Sequence, residues 1–235
     1  MGWKNQTGMN WSLEFNSRSA WTVDIPENTI GDHTIVKYNM ENFDSWHNYW
    51  KLVCLQGWRE SPNMFDYTVL LKDGMPLTVM QDTFCEFEEH QWLWGHSTGD
   101  ILITGLGIGF VNEWLIKAPG VTSVTIIEKE QDVIDLVWDH CAKDERFTLI
   151  HADADTWDNP DELYFDTIWI DHVFNTNDHR QAALDKYTPW GDNIKVYADN
   201  AGLDNYYEIN EETGMLELRE KNERLPWCGG TLPVE

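Results

Sequence analysis

A chain of 235 residues, 42% of them hydrophobic and 14 of them Trp, is long enough for one large domain or a domain with an appendage, and too apolar to be disordered. Its 41 Asp and Glu against 16 Lys and Arg leave a net charge of −25, which argues against a nucleic-acid substrate or an anionic membrane surface, since both are held by basic residues. There is no run of 18 apolar residues to span a membrane and no apolar leader after Met1-Gly2-Trp3-Lys4, so a cytoplasmic protein is expected.

Residues 1–98 read as a mostly β unit. Trp11 to Ile25 and His33 to Tyr38 are β-rich, and the aromatic spacing around Trp46 to Leu55 predicts a helix. From Tyr67 to Met80 two β-prone runs meet at Asp73-Gly74, a hairpin signature because glycine takes positive φ without a Cβ clash. Between Asp82 and Trp94, the spacing of Phe84, Phe87, Gln91 and Trp94 predicts a helix or helical turn.

At Gly99 the texture changes. Ile101 to Thr104 is an unbroken apolar run, followed by Gly105-Leu106-Gly107-Ile108-Gly109 and a helix over Phe110 to Lys117. Val121 to Ile127 is a second strand ending at Glu128, and Gln131 to Cys141 carries a helical apolar face. Phe147 to Ile150, Phe165 to Ile170 and Asn193 to Tyr197 supply further strands, with a short helix over Asp178 to Tyr187. Two tail runs, Tyr206 to Ile209 and Met215 to Arg219, flank the turn-like Glu211-Glu212-Thr213-Gly214. Apolar strands alternating with helices predict an α/β, Rossmann-like domain over residues 99–235, with a mainly parallel seven-stranded sheet covered on both faces.

Cys54, Cys85, Cys141 and Cys228 show no C-x-x-C spacing, so no metal centre or dithiol motif is expected from them. Open parallel sheets bind ligands beyond the carboxyl ends of their strands. There, Gly105, Gly107 and Gly109 allow a tight turn that brings backbone amides near a ligand, although a plain strand-to-helix turn reads the same way. Glu128, at the tip of the second strand, offers two oxygens to the hydroxyls of a ribose. Asp153 follows the third strand, where it suits an adenine amino group or a turn cap. Asp153, Asp155, Asp158, Asp161, Glu162, Asp166 and Asp171 have no Lys or Arg among them and read as an acidic rim that favours a cationic guest, or as wet surface.

Residues 66–200 resemble the class I S-adenosylmethionine-dependent methyltransferase superfamily, and within it the spermidine synthase (aminopropyltransferase) branch. The likeness rests on the hairpin Val69 to Thr78, the acidic-aromatic stretch Asp82 to His90, Glu128-Lys129-Glu130 after the second strand and Asp153-Ala154 after the third. It implies a transferase using S-adenosylmethionine or its decarboxylated form. Glu128 would then hold the ribose, Asp153 the adenine, and the loop 105–109 the methionine-derived part. Asp171 and His172 would orient or deprotonate a small neutral or cationic acceptor, an amine among the candidates, with Glu89 opposite; Trp92, Trp94 and Trp169 offer aromatic faces to a cation, although Trp169, mid-strand, reads as core. Two departures favour methyl over aminopropyl transfer: Gly107 stands where the branch carries an Asp, and Phe174 stands where the second Asp of its Asp-x-x-Asp-Pro stands. A non-catalytic relative that binds a nucleoside is the third reading, and a homo-oligomer stays open.

Overall fold

The hairpin predicted at Asp73-Gly74 lies within a four-stranded antiparallel sheet. The computed structural model describes residues 22–38, 67–75, 79–82, 86, 90–172, 177–196, 207–209 and 216–218. Within these, β1 (Asn28–Ile30), β2 (His33–Tyr38), β3 (Tyr67–Lys72) and β4 (Met80–Gln81) pair in sequence order. Gly74 turns the chain at φ 79°, and the Met75 N–H donates to Lys72 O at 3.1 Å. Asp82 is fully buried just past β4, where its carboxylate accepts the N–H of Thr68 at 2.7 Å and of Val23 at 3.1 Å. Thr22 to Ile25 is irregular rather than β, while the rest of the Trp11 to Ile25 run and the helix expected around Trp46 to Leu55 lie outside the described residues.

A short helix, α1 (Gln91–His96), leads to β5 (Gly99–Thr104). There follow α2 (Asn112–Leu115), β6 (Val121–Glu128), α3 (Gln131–Val137), β7 (Phe147–His151), β8 (Phe165–Ile170), α4 (Asn177–Tyr187) and β9 (Gly191–Val196). The helices α2 and α3 are shorter than their periodicity predicts, because the chain beyond each continues as hydrogen-bonded turns. The strands pair in parallel in the order β7-β6-β5-β8-β9. This is an α/β Rossmann-like fold with a mainly parallel sheet and a small antiparallel β unit before it. The main sheet has five strands among the described residues, where seven were expected. β10 (Tyr207–Ile209) and β11 (Leu216–Leu218) pair antiparallel with each other instead. Too few residues separate them for the crossover that parallel neighbours require.

Alternation along the strands divides the core. Ile101, Ile103, Ile126 and Trp169 face one side, where Ile35, Leu70 and Met80 of the antiparallel sheet join the same apolar cluster. Leu102, Ile127, Ile168 and Ile170 face the other and pack with Ala183 and Tyr187 of α4. Both faces of the central strands are therefore covered, which is why Ile101 to Ile103 and Ile168 to Ile170 read as unbroken apolar runs, whereas the edge strand β9 carries exposed polar residues. Each fully buried Ile or Leu contributes roughly 1.5 to 3 kcal/mol.

Candidate functional site

The chain runs outward from β5 through β6 to β7, then returns to the other side of β5 as β8, so the sheet order reverses between β5 and β8. Ligands of open α/β sheets bind at such a reversal, beyond the strands' carboxyl ends. In this register Thr104 lies opposite Ile127 on one side and Ile170 on the other. Thr104, Glu128 and Asp171 therefore reach the same edge.

The glycine loop leaves Thr104 with positive φ at Gly105, Gly107 and Gly109. A Cβ on Gly105 would stand 3.0 Å from the Asp171 carbonyl oxygen, and one on Gly109 would overlap the Cβ of Cys141. The loop thus needs glycine for packing as well as for any ligand approach.

Glu128 is 8% exposed, and its oxygens accept backbone N–H groups on both sides: Leu106 on Oε2 at 2.9 Å and Glu130 on Oε1 at 2.8 Å. A carboxylate has about four acceptor positions, so capacity remains on each oxygen. Glu130 itself is taken by Lys72, whose Nζ donates to it at 2.9 Å and ties β3 to the tip of β6.

Across the reversal, the Asp171 N–H donates to Thr104 O at 3.0 Å, and the Thr104 hydroxyl meets His172 Nδ1 at 2.6 Å. The Asp171 carboxylate lies 3.7 Å from Nε2 of His90, a fully buried side chain. His90 Nδ1 donates to Glu86 O at 2.7 Å, and its ring packs against Trp94 and Trp169. Trp94 and Trp169 are core residues at 2% and 1% exposure and do not wall an open pocket, while Trp92 is half-buried beside them.

Asp153 is an exposed turn residue whose Oδ1 accepts the Asp155 N–H at 2.9 Å. Asp155 Oδ1 in turn meets two imidazoles, His172 Nε2 at 3.2 Å and His179 Nε2 at 3.0 Å. Partial burial opposes ionisation of Asp155, yet the hydrogen bond from His179 and the charges and contacts of both histidines outweigh it and hold its pKa below the ordinary value. Burial lowers the pKa of His172, against the opposing pull of Asp155. The neutral imidazole is therefore favoured near neutrality.

The acidic rim divides between two edges. Asp166, the second residue of β8, accepts the Asp100 N–H at 2.8 Å beside the start of β5, roughly 16 Å along the strand from Asp171. Asp153 and Asp155 follow the carboxyl end of β7, and Asp171 that of β8. Glu89 and Phe174 lie outside the described residues.

Sequence reasoning singled out neither Thr104, His90 nor His179. Thr104 is hidden in an apolar run and His90 in an aromatic stretch. His179 has no short spacing to His172 or Asp155 that would mark a cluster.

No family model matches the chain, and no curated protein matches its sequence. Solved structures resemble it in part. The N-methyltransferase NodS from Bradyrhizobium japonicum WM9, in complex with S-adenosyl-L-homocysteine, is 18% identical over 46% of this chain and 57% of that chain, with a TM-score of 0.37. A DhpI complex matches at 16% identity over 46% and 51% of the two chains, with a TM-score of 0.38. The plantazolicin methyltransferase BpumL matches at 18% identity over 46% and 44%, with a TM-score of 0.37. The chain spans 44% to 57% of the length of these three proteins. Among the described residues, no helix is long and apolar enough to cross a membrane.

Proposed function

We propose that the chain binds S-adenosylmethionine at the reversal between β5 and β8 and transfers its methyl group to a small neutral or cationic acceptor. The observation that carries this reading is Glu128. A buried carboxylate at the tip of the strand after the glycine loop, with acceptor capacity left on both oxygens, suits the paired hydroxyls of a ribose. Asp153, beyond β7, serves the adenine edge, and Gly105, Gly107 and Gly109 line the path of the methionine-derived part.

Methyl transfer is an in-line displacement. The acceptor's lone pair forms the new bond to carbon, the carbon–sulfur bond breaks towards sulfur, and S-adenosylhomocysteine leaves. The protein positions the two partners and receives any proton that the acceptor releases. Asp171 and His172 hold the acceptor side, with Glu89 as a further contributor. A net charge of −25 favours approach of a cationic guest.

Calorimetry with S-adenosylmethionine, its decarboxylated form and NAD tests the cofactor. Assays with a panel of small amines and alcohols then follow S-adenosylhomocysteine and methylthioadenosine separately. Methylthioadenosine formed from the decarboxylated cofactor plus an amine would replace this reading with aminopropyl transfer. Cofactor binding with neither product across the panel would favour a non-catalytic nucleoside binder.

A further inference from the structure

We propose that Asp155, His172 and His179 hold one divalent transition-metal ion of the zinc class at the carboxyl edge of the sheet, with at least one coordination position left for an oxygen or nitrogen donor. Three elements meet to make the site: the turn after β7, the residue two past β8, and the first turns of α4. One ligand atom from each residue lies within 4.8 Å of the others. A tetrahedral ion with bonds of about 2.1 Å separates its donors by about 3.4 Å. The two imidazole nitrogens already stand 3.2 and 3.0 Å from the carboxylate oxygen, within a few tenths of an ångström of that separation, and within 4.8 Å of each other.

The surroundings suit it. Metal-bound imidazoles donate their other N–H to an outer partner that fixes the ring, and the Thr104 hydroxyl stands 2.6 Å from His172 Nδ1. Where an ion is bound, His172 Nδ1–H donates to the Thr104 hydroxyl and the Nε2 lone pair, 3.2 Å from Asp155 Oδ1, coordinates it in place of the hydrogen bond to that carboxylate. Asp153 and Asp158 add negative field around Asp155, offset in part by Lys186, which is bound to Ala154 O at 2.7 Å. The side chains of Asp155, His179 and His172 are 47%, 30% and 12% exposed, so an ion there has a solvent-facing side. Two imidazoles with one carboxylate select a borderline transition metal over Mg2+ or Ca2+, which prefer all-oxygen sites.

The test uses the full chain freed of metal by a chelator and dialysed, then titrated with Zn2+ alone by calorimetry. Co2+ absorption serves as a second readout. We expect one Zn2+ bound at micromolar affinity or tighter, undisturbed by millimolar Mg2+, and Co2+ bands of nitrogen and oxygen ligation without sulfur-to-metal charge transfer. His179→Gln, His172→Gln and Asp155→Asn each weaken binding by about tenfold or more. Asp132→Asn, in the separate cluster of Asp32, His33 and Asp132, leaves it unchanged. Far-UV circular dichroism confirms folding, and His179→Gln, on the helix surface, carries the test if His172→Gln does not fold. Undiminished Zn2+ binding in His179→Gln, competition by Mg2+, thiolate bands with Co2+, or no binding at all would overturn the proposal and leave Asp155 as a hydrogen-bonded latch. Because no S-adenosylmethionine enters the titration, its outcome is separate from that of the transferase reading.

Discussion

Glu128 Oε2 accepts the backbone N–H of Leu106 at 2.9 Å, so the carboxylate that ends β6 also fixes the glycine loop that follows β5. The same side chain therefore serves the fold and the proposed cofactor pocket. The two roles separate by substitution.

Glu128→Ala removes two charge-assisted hydrogen bonds to backbone amides, each worth roughly 1.5 to 3 kcal/mol, and is expected to lower stability as well as abolish cofactor binding. Glu128→Gln keeps the volume and one acceptor, so it should fold with a smaller loss while weakening S-adenosylmethionine binding about tenfold or more. Thermal unfolding and calorimetry on both variants check this. Wild-type affinity in a folded Glu128→Gln protein would remove Glu128 from the pocket.

Gly109 takes φ 66° and a Cβ there would overlap Cys141. Gly109→Ala should cost about 2 to 4 kcal/mol, combining left-handed strain with overpacking. Gly74 takes φ 79° in the hairpin turn with nothing within 4 Å of a Cβ. There the same substitution should cost only about 1 to 2 kcal/mol. Urea denaturation of the pair measures the difference, and equal losses would show that the loop relaxes around the added methyl.

Asp82 is fully buried and accepts the N–H groups of Thr68 and Val23. Asp82→Ala should cost about 3 to 5 kcal/mol because it strands both donors, and Asp82→Asn less because one acceptor remains. A loss below about 1 kcal/mol in the Ala variant, measured by denaturant titration, would mean that water replaces the carboxylate.

Burial pushes the Cys141 thiol up to about 11, against opposing contributions from Lys143 and Asn112. The folded protein then keeps a proton that the unfolded chain releases near pH 9, so this contribution is complete below pH 9 and fades as the pH rises to about 11. Wild type should lose about 2 to 3 kcal/mol more than Cys141→Ala across that window. The comparison is of slopes, since the Ala variant also loses packing. At pH 8 the Cys141 peptide should resist alkylation until the protein unfolds, as read by mass spectrometry. Equal slopes, or rapid native-state labelling, would contradict the burial argument.

The sequence by itself determined the strands of the parallel sheet, the turn at Gly74 and the glycine loop. Central strands buried on both faces must be largely apolar, and left-handed turns without a Cβ penalty require glycine, so both features are written in residue type and order. Glu128 could be placed at a strand tip because polarity returns abruptly after Ile127. Residue order could not say which tips meet. Asp166 and Asp171 sit in one acidic stretch, yet the extended strand between them carries them to opposite edges of the sheet. His90 reaches Asp171, and Asp155 reaches both His172 and His179, only because parallel pairing aligns the strand ends and packing of α1 and α4 turns these side chains towards one edge. Those contacts depend on register and on the reversal of strand order at β5, properties of the assembled sheet that local spacing does not encode.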